Sequence, residues 1–593
     1  MNRAVATPSR AGRREPGAGR GRAAKTPQLD LFGERPGTDA VSEAPALPGP
    51  SGAPQREPGP AGPEAARPAR KDANATRRRE SAESLGRRQR EISVAEFFQK
   101  NRHLLGFDNP AKALLTATKE AVDNSLDACE EAGFLPEMEI GIDELAEDRF
   151  RLAVTDNGPG IVRGQIPRIF GKLLYGSKFH TLRQSRGQQG IGISAAGMYS
   201  QLTTGQPVRI TSRTGKGRPA HYFEIAIDTA RNEPKVLTDR EVEWDREHGT
   251  RVEMDLAGTY KKGRRSVDDY VAQSALANPH ASVHYHPPKG DDFHRDRLTV
   301  EMPREPVAIK PHPYGVELGA LIALLRSTRG RTLASALQAD FARVSDRVAE
   351  EICRTAGLNP NARPKSLGVP QVEALFRAIP RVKIMAPPTS AIVPIGEELI
   401  LEGLRQAVKA DFYTSTTRPT AVYRGNPFIV EAGLAYGGEM PAEEMIDLWR
   451  FANRVPLQYQ QAACAVTRAA IGTDWRHYGL QQPKGALPAG PMVLFVHVAS
   501  VWVPFTSESK EAIAAYPEIV RELRLGLQEI GRRLGGFLRH RRRLAEAEKK
   551  KSYIRSYIPH IGIALREILG LTAKQEATIV SVLTDTLERS RKV

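Results

Sequence analysis

At 593 residues the chain exceeds what one hydrophobic core organises, and at roughly 100–200 residues per domain it divides into three or four units. Its 40% hydrophobic and 26% charged content is that of an ordinary soluble globular protein; no run of about 18 apolar residues offers a transmembrane helix, and no apolar h-region marks a secretory signal. A net charge of +17 favours a polyanionic partner such as nucleic acid, and three widely spaced cysteines (Cys129, Cys353, Cys464) argue against a zinc ribbon or disulfide scaffold and fit a reduced, cytoplasmic compartment.

Residues 1–90 carry 18 Lys and Arg against 10 Asp and Glu, with 12 Pro and 11 Gly. Such a stretch buries too little apolar surface to offset chain entropy and reads as a disordered basic tail. One island, Gln28-Leu-Asp-Leu-Phe32, resembles the short peptides by which bacterial proteins dock onto the replication sliding clamp. Order is expected from Ile92, with a helix over about Pro110–Glu131 on whose apolar face Ala111, Leu114, Leu115, Thr118 and Val122 fall. Strands are predicted at 138–142, 150–154, 208–212, 221–227 and 251–256, around a Gly-rich region at 157–192. Short helical runs follow at 316–325, 333–342, 346–356 and 371–378. From about 390, strands (421–431 and 492–503) alternate with helices (457–471 and a long one from about Lys510). The tail from Lys549 reads as helical after Pro559.

Three short strings carry chemistry. In Glu120-Ala-Val-Asp-Asn-Ser-Leu-Asp127-Ala128, a helical pitch places Asn124 roughly 40° and Asp127 roughly 20° from Glu120, so the three share a face. A carboxylate there can orient and deprotonate a water attacking a phosphate, and an amide oxygen is a hard, uncharged ligand for Mg²⁺. Asp156-Asn-Gly158-Pro-Gly160 follows a predicted strand; its carboxylate can accept from an exocyclic amine, while the glycines let the backbone turn beside a base. In Gly187-Gln188-Gln189-Gly190-Ile191-Gly192-Ile193-Ser194, the glycines expose successive backbone N–H groups ahead of an Ala-rich helix start that favours phosphate. No GK[ST] follows, and the GxxGxG spacing lacks a preceding βαβ unit, so neither a Walker A loop nor a dinucleotide fingerprint fits.

Taken in order, these strings resemble the GHKL, or Bergerat-fold, ATPases over about residues 92–300. The superfamily includes type II topoisomerases, the mismatch-repair MutL proteins, a heat-shock chaperone and sensor kinases; no transmembrane segment or phospho-acceptor helix precedes the nucleotide motifs. Ile92–Phe98, Lys172–Lys178, Arg450–Pro456, Trp475–Leu480 and Ser507–Ile513 resemble the B subunits of DNA topoisomerase VI, a type IIB enzyme, from about residue 92 onward.

The resemblance implies an α+β multidomain protein: a tail (1–90), a Bergerat-fold α/β sandwich with an N-terminal strap (91–304), a helix–two-turns–helix module (305–389), a ribosomal-S5-like transducer with a long C-terminal helix (390–548) and a helical tail (549–593). It implies Glu120 as general base, Asn124 as Mg²⁺ ligand and Asp156 as adenine anchor. Asp127, Gly158, Gly160, Ser177, Lys178 and the loop from Gly187 to Ser194 would complete the ATP site. Lys510 is expected as the lysine that reaches the γ-phosphate from the transducer. Where the family has Trp-Lys-x-Tyr this chain has Trp475-Arg476-His477-Tyr478, leaving Trp475, Arg476 and Tyr478 as candidates for sensing double-stranded DNA. The implied assembly is an A2B2 heterotetramer with a DNA-cleaving A subunit. ATP binding would close two B subunits, the segment near Ile92–Leu105 strapping across the partner, so that one duplex passes through a break in another. The implied location is cytoplasmic and nucleoid-associated, without membrane contact. A MutL-like or chaperone-like clamp lacks the helical insert at 305–385, and a non-catalytic scaffold for DNA breakage has no need of the intact ATP-site residues.

Overall fold

The computed structural model describes residues 82–176, 181–187, 190–507 and 509–589. Gln28–Phe32, Ser177, Lys178, Gln188 and Gln189 lie outside the described residues. The first described helix is α1 (Ala82–Arg88), and the compact unit that begins at Gly86 is built on two sheets.

The first sheet has eight strands in the order β5-β4-β3-β6-β2-β1-β7-β8. These are β1 (Glu137–Ala146), β2 (Arg149–Asp156), β3 (Val208–Arg213), β4 (Ala220–Asp228), β5 (Glu233–Val242), β6 (Gly249–Ala257), β7 (Ser282–His286) and β8 (Phe293–Arg295). Met138, Ile140, Ile142, Leu152 and Val154 alternate inward, as a half-buried pleat requires. Against them pack α3 (Pro110–Ala132), α4 (Ile166–Gly171), α5 (Gly192–Thr204) and α6 (Val267–Ala277). α3 starts where the Asn109 side chain accepts from Ala111 N–H with Pro110 in the first turn, and it stops at Gly133 in the left-handed conformation. Its buried stripe of Ala113, Leu114, Ala117, Ala121 and Val122 fixes its rotation, which turns Glu120 and Asn124 away from the sheet core. The segment expected to strap across a partner contains α2 (Val94–Lys100), which in the single chain lies on its own body: Ala95 is fully buried and Ser93 Oγ donates to the Thr229 carbonyl.

Four helices, α7 (Leu318–Ser327), α8 (Leu333–Asp340), α9 (Asp346–Ala356) and α10 (Val369–Ala378), close a separate core around Leu321, Leu333, Leu337, Ile352 and Leu375. After α11 (Glu397–Ala407) comes the second sheet, of order β10-β11-β14-β12-β13 with β9 also paired to β11. Its strands are β9 (Phe412–Thr417), β10 (Ala421–Tyr423), β11 (Asn426–Tyr436), β12 (Asp447–Ala452), β13 (Val455–Pro456) and β14 (Met492–Ser500). Ile519, Leu523, Leu527, Ile530 and Leu534 lay one stripe of α13 (Pro517–Leu569) into this sheet's core.

Several expectations are corrected. The strand predicted at 421–431 is a hairpin, broken by Arg424 and Gly425 at positive φ. The helix predicted at 457–471 is only α12 (Ala465–Ile471), because Leu457 N–H pairs with the Arg450 carbonyl and Gln460 adopts positive φ. Lys510 does not open a helix; it sits in a loop at φ 52°, and α13 begins at Pro517. Nor does an element end at Lys549: α13 runs unbroken for 53 residues, roughly 80 Å at the helical rise, with Pro559 inside it. α14 (Ala573–Arg589) then doubles back along it, with Arg566 bonded to Glu576 at 2.8 Å. Among the described residues no helix is long and apolar enough to cross a membrane.

Candidate functional site

Between α3, the end of β2, the start of α5 and a loop of the second sheet lies a cavity of about 300 Å³. Glu120, Asn124, Asp156, Gly160, Gly187, the run Gly190 to Ser194 and Lys510 all line it. Residues drawn from four distant strings thus share one chamber.

Asp156 is the last residue of β2, locked between β1 and β6. Its Oδ1 accepts from the N–H groups of Gly158 (2.9 Å) and Thr250 (3.2 Å), and its Oδ2 from Ser125 Oγ (3.0 Å). Burial pushes this carboxyl up, and the three hydrogen bonds pull against that rise by favouring the ionised form. The turn after it needs Gly160: φ is +69°, and a Cβ there would meet the Arg213 carbonyl oxygen at 2.0 Å.

Glu120 is half-buried, while Asn124, one turn on, is exposed to the chamber. The backbone of Gly192 lies so close to the Glu120 carboxylate that a Cβ on it would fall 1.7 Å from Oε2. Gly192 also begins α5, whose N-cap Ile191 supplies no capping side chain, so the first-turn N–H groups are directed at whatever occupies the chamber. A carboxylate, an amide and an uncapped helix N-terminus around one space are the elements needed to hold a polyphosphate and activate water beside it. Ser194 contributes backbone only, since its buried hydroxyl lies 3.0 Å from the carbonyls of Ile169 and Lys172.

Asp127, expected in the same site, does not line the chamber but holds the stem of its loop. Its Oδ1 pairs with Arg186 at 2.8 Å, and the buried Arg186 guanidinium also bonds Glu130 (2.6 and 2.8 Å) and Asn278 (2.5 Å). Burial alone would raise the Glu130 carboxyl; the Arg186 charge and hydrogen bonds from His280 and Arg186 outweigh it and hold the carboxyl well below the usual range. Arg186 immediately precedes the Gly-rich loop and anchors its stem. The sequence alone does not assign it this role, although it opens the loop string and Glu130 lies three residues past Asp127 on the same helix face.

Lys510 Nζ donates to the Arg186 carbonyl (3.2 Å), and the neighbouring Glu511 pairs with Lys112 in the first turn of α3 at 2.5 Å. One loop of the second sheet therefore grips both the stem and α3.

The three candidates for DNA sensing separate. Trp475 is fully buried, with Nε1–H donating to the Ala470 carbonyl at 2.9 Å, and Tyr478 packs edge-on to it and against Gly531 of α13. Both belong to the core of the second sheet. Arg476 alone stands in solvent, its Nε bonded to Asp474 at 3.1 Å.

Two families of known proteins match successive parts of the chain. Residues 109–230 match the histidine kinase-, DNA gyrase B- and HSP90-like ATPases, and residues 387–550 match the topoisomerase VI B subunit transducer. Over 513 residues the chain is 47% identical to the B subunit of type 2 DNA topoisomerase 6 from Methanosarcina barkeri, covering 86% of this chain and 83% of that one. It is 49% identical over 489 residues to the protein of that name from Methanococcoides burtonii, covering 82% and 79%. The corresponding Archaeoglobus fulgidus protein is 46% identical over 481 residues, covering 81% and 80%.

Proposed function

The chain belongs to the family of type 2 DNA topoisomerase 6 B subunits, and from that premise we propose how its chamber serves the reaction. It is the ATP-using subunit of an ATP-dependent DNA topoisomerase. The observation that carries the residue-level reading is the single chamber that gathers Glu120, Asn124, Asp156, the Gly190–Gly192 turn and Lys510.

The chamber suits a nucleotide. Asp156 is a buried acceptor for the amine of an adenine, and Gly160 keeps the adjoining turn free of a side chain. The uncapped start of α5 offers N–H donors and a partial positive charge to phosphates. Asn124 is the residue that would hold Mg²⁺, which when bound neutralises phosphate charge. Glu120 orients a water and takes its proton as the water attacks the terminal phosphorus. Gly192 matters here because only a glycine lets the helix start sit against that carboxylate. Lys510 supplies a point charge to the terminal phosphate and is the link to the second sheet.

In the working assembly two B subunits close on ATP binding, and α13 carries the movement to an A subunit that breaks DNA, in an A2B2 complex. Arg476 is the candidate for meeting duplex DNA. The test is ATP-dependent self-association followed by light scattering. Wild type should double in mass with a non-hydrolysable ATP analogue, and Lys510→Ala should need at least tenfold more analogue to do so. An identical response would remove Lys510 from the coupling.

A further inference from the structure

The stem of the Gly-rich loop is held from the second sheet's side at three successive residues, and only one of those holds is made by Lys510. Gln184 donates its N–H to the Ala391 carbonyl (3.0 Å) and accepts from Val393 N–H at Oε1 (2.7 Å). The Ser185 carbonyl accepts from Asn453 Nδ2 at 2.9 Å, and the Arg186 carbonyl accepts from Lys510.

Asn453 and Arg454 form the two-residue turn between β12 and β13, with Ala452 opposite Val455. Both have positive φ (48° and 67°), as a primed hairpin turn demands, but a glycine is the ordinary second residue there and Arg454 is not one. The turn is held by buried partners. Arg454 N–H donates to His497 Nε2 (2.9 Å), so that nitrogen carries no proton; His497 Nδ1–H therefore donates to Glu431 (2.8 Å). Glu431 is itself fixed by the N–H groups of Ile395 and Gly396, both at 2.8 Å. From this support the Asn453 amide reaches two ways. Nδ2 bonds the Ser185 carbonyl and the Ser500 carbonyl, and Oδ1 accepts from Ser500 N–H at 2.9 Å. Ser500 ends β14, the strand paired with both β11 and β12 in the sheet on which α13 lies.

We infer that Asn453 is a positioning residue that passes the location of the loop stem to the second sheet, in parallel with Lys510 and without touching nucleotide. The inference rests on the proposed function above. Arg186 is clamped to α3, so a stem that moves when the chamber closes moves as a unit, and Asn453 is the side chain that ties it to β14. Two bonded neighbours on one planar amide leave it little freedom to follow one and not the other. The buried partners of the turn are what hold its two non-glycine residues at positive φ.

The test uses the reconstituted complex of this chain with its A subunit, measuring ATP hydrolysis and decatenation in the same reaction. Asn453→Gly preserves the turn and deletes the amide; Asn453→Asp retains the acceptor for Ser500 N–H but sets an oxygen against the Ser185 carbonyl. Both variants should hydrolyse ATP with kcat and KM within twofold of wild type, while decatenation per ATP consumed falls at least tenfold. An unchanged ratio, or hydrolysis and decatenation falling together as a merely structural residue would make them, overturns the assignment. Failure of the wild-type complex to decatenate with ATP overturns the assignment and its parent reading together.

Discussion

Lys510 and Arg186 are 324 residues apart in sequence, yet the ammonium of the first rests on the carbonyl of the second at 3.2 Å. This contact ties the loop after the second sheet to the residue that immediately precedes the Gly-rich loop. It is a side chain-to-backbone bond, so its geometry depends on where the Arg186 backbone is held, and that is set by the Arg186 guanidinium between Asp127 and Glu130 on α3.

Glu130→Gln should therefore destabilise the protein by about 3 kcal/mol at neutral pH, because removing one partner leaves a buried guanidinium partly uncompensated. The Glu130 carboxyl is held below its ordinary range, so its contribution is complete above the unfolded carboxylate pKa and is lost as pH falls through the lower, folded value. In a His280→Gln background, where the buried imidazole bonded to Glu130 no longer titrates, thermal unfolding should show a constant gap between the two proteins from pH 8 to about 5, narrowing below about pH 4. A gap that widens on acidification would refute the sign of this linkage.

Gly192→Ala tests the contact between α5 and the proposed base. Alanine suits a helix start, so the fold should persist, but its methyl would occupy the position of Glu120 Oε2. ATP turnover should fall by about 10²-fold or more, with the circular dichroism spectrum unchanged. Wild-type turnover in this variant would show that Glu120 does not act where it now lies.

Trp475 and Arg476 should behave oppositely despite being neighbours. Trp475→Ala empties a fully buried site and breaks the bond to Ala470, costing about 3–5 kcal/mol. Arg476→Glu, an exposed change, should leave the melting temperature within about a degree while weakening duplex binding and flattening its salt dependence. Loss of DNA binding in Trp475→Ala at temperatures where it is folded, with none in Arg476→Glu, would reverse the assignment.

Much of this architecture is legible in the sequence where local pattern and final environment agree. The apolar stripe of α3 marks its limits to within a residue, Pro110–Glu131 expected against Pro110–Ala132, and the short apolar runs of the insert likewise coincide with its helices, 346–356 matching α9 at both ends. β5 escapes notice because it is an edge strand, solvated along most of its length, and so lacks the alternation that marks β1. The helix predicted from Leu457 fails because a non-local bond, Leu457 to Arg450, overrides its propensity. In the chamber, Glu120, Asn124, Asp156 and the glycines are visible through spacing. Asp127 shares their helix face, but which direction it serves depends on Arg186, a partner 59 residues away. Trp475 likewise has no local signal separating a core aromatic from a ligand-facing one; only the packing of α12 and α13 around it decides.

If ATP hydrolysis at Glu120 drives strand passage, decatenation by the complex of this chain with its A subunit measures it directly. Wild type should unlink circles repeatedly and only with ATP. Glu120→Ala should still bind nucleotide yet release no more than about one link per complex, since closure without hydrolysis cannot be reset. Sustained decatenation by Glu120→Ala, or ATP-independent turnover by wild type, would contradict that role.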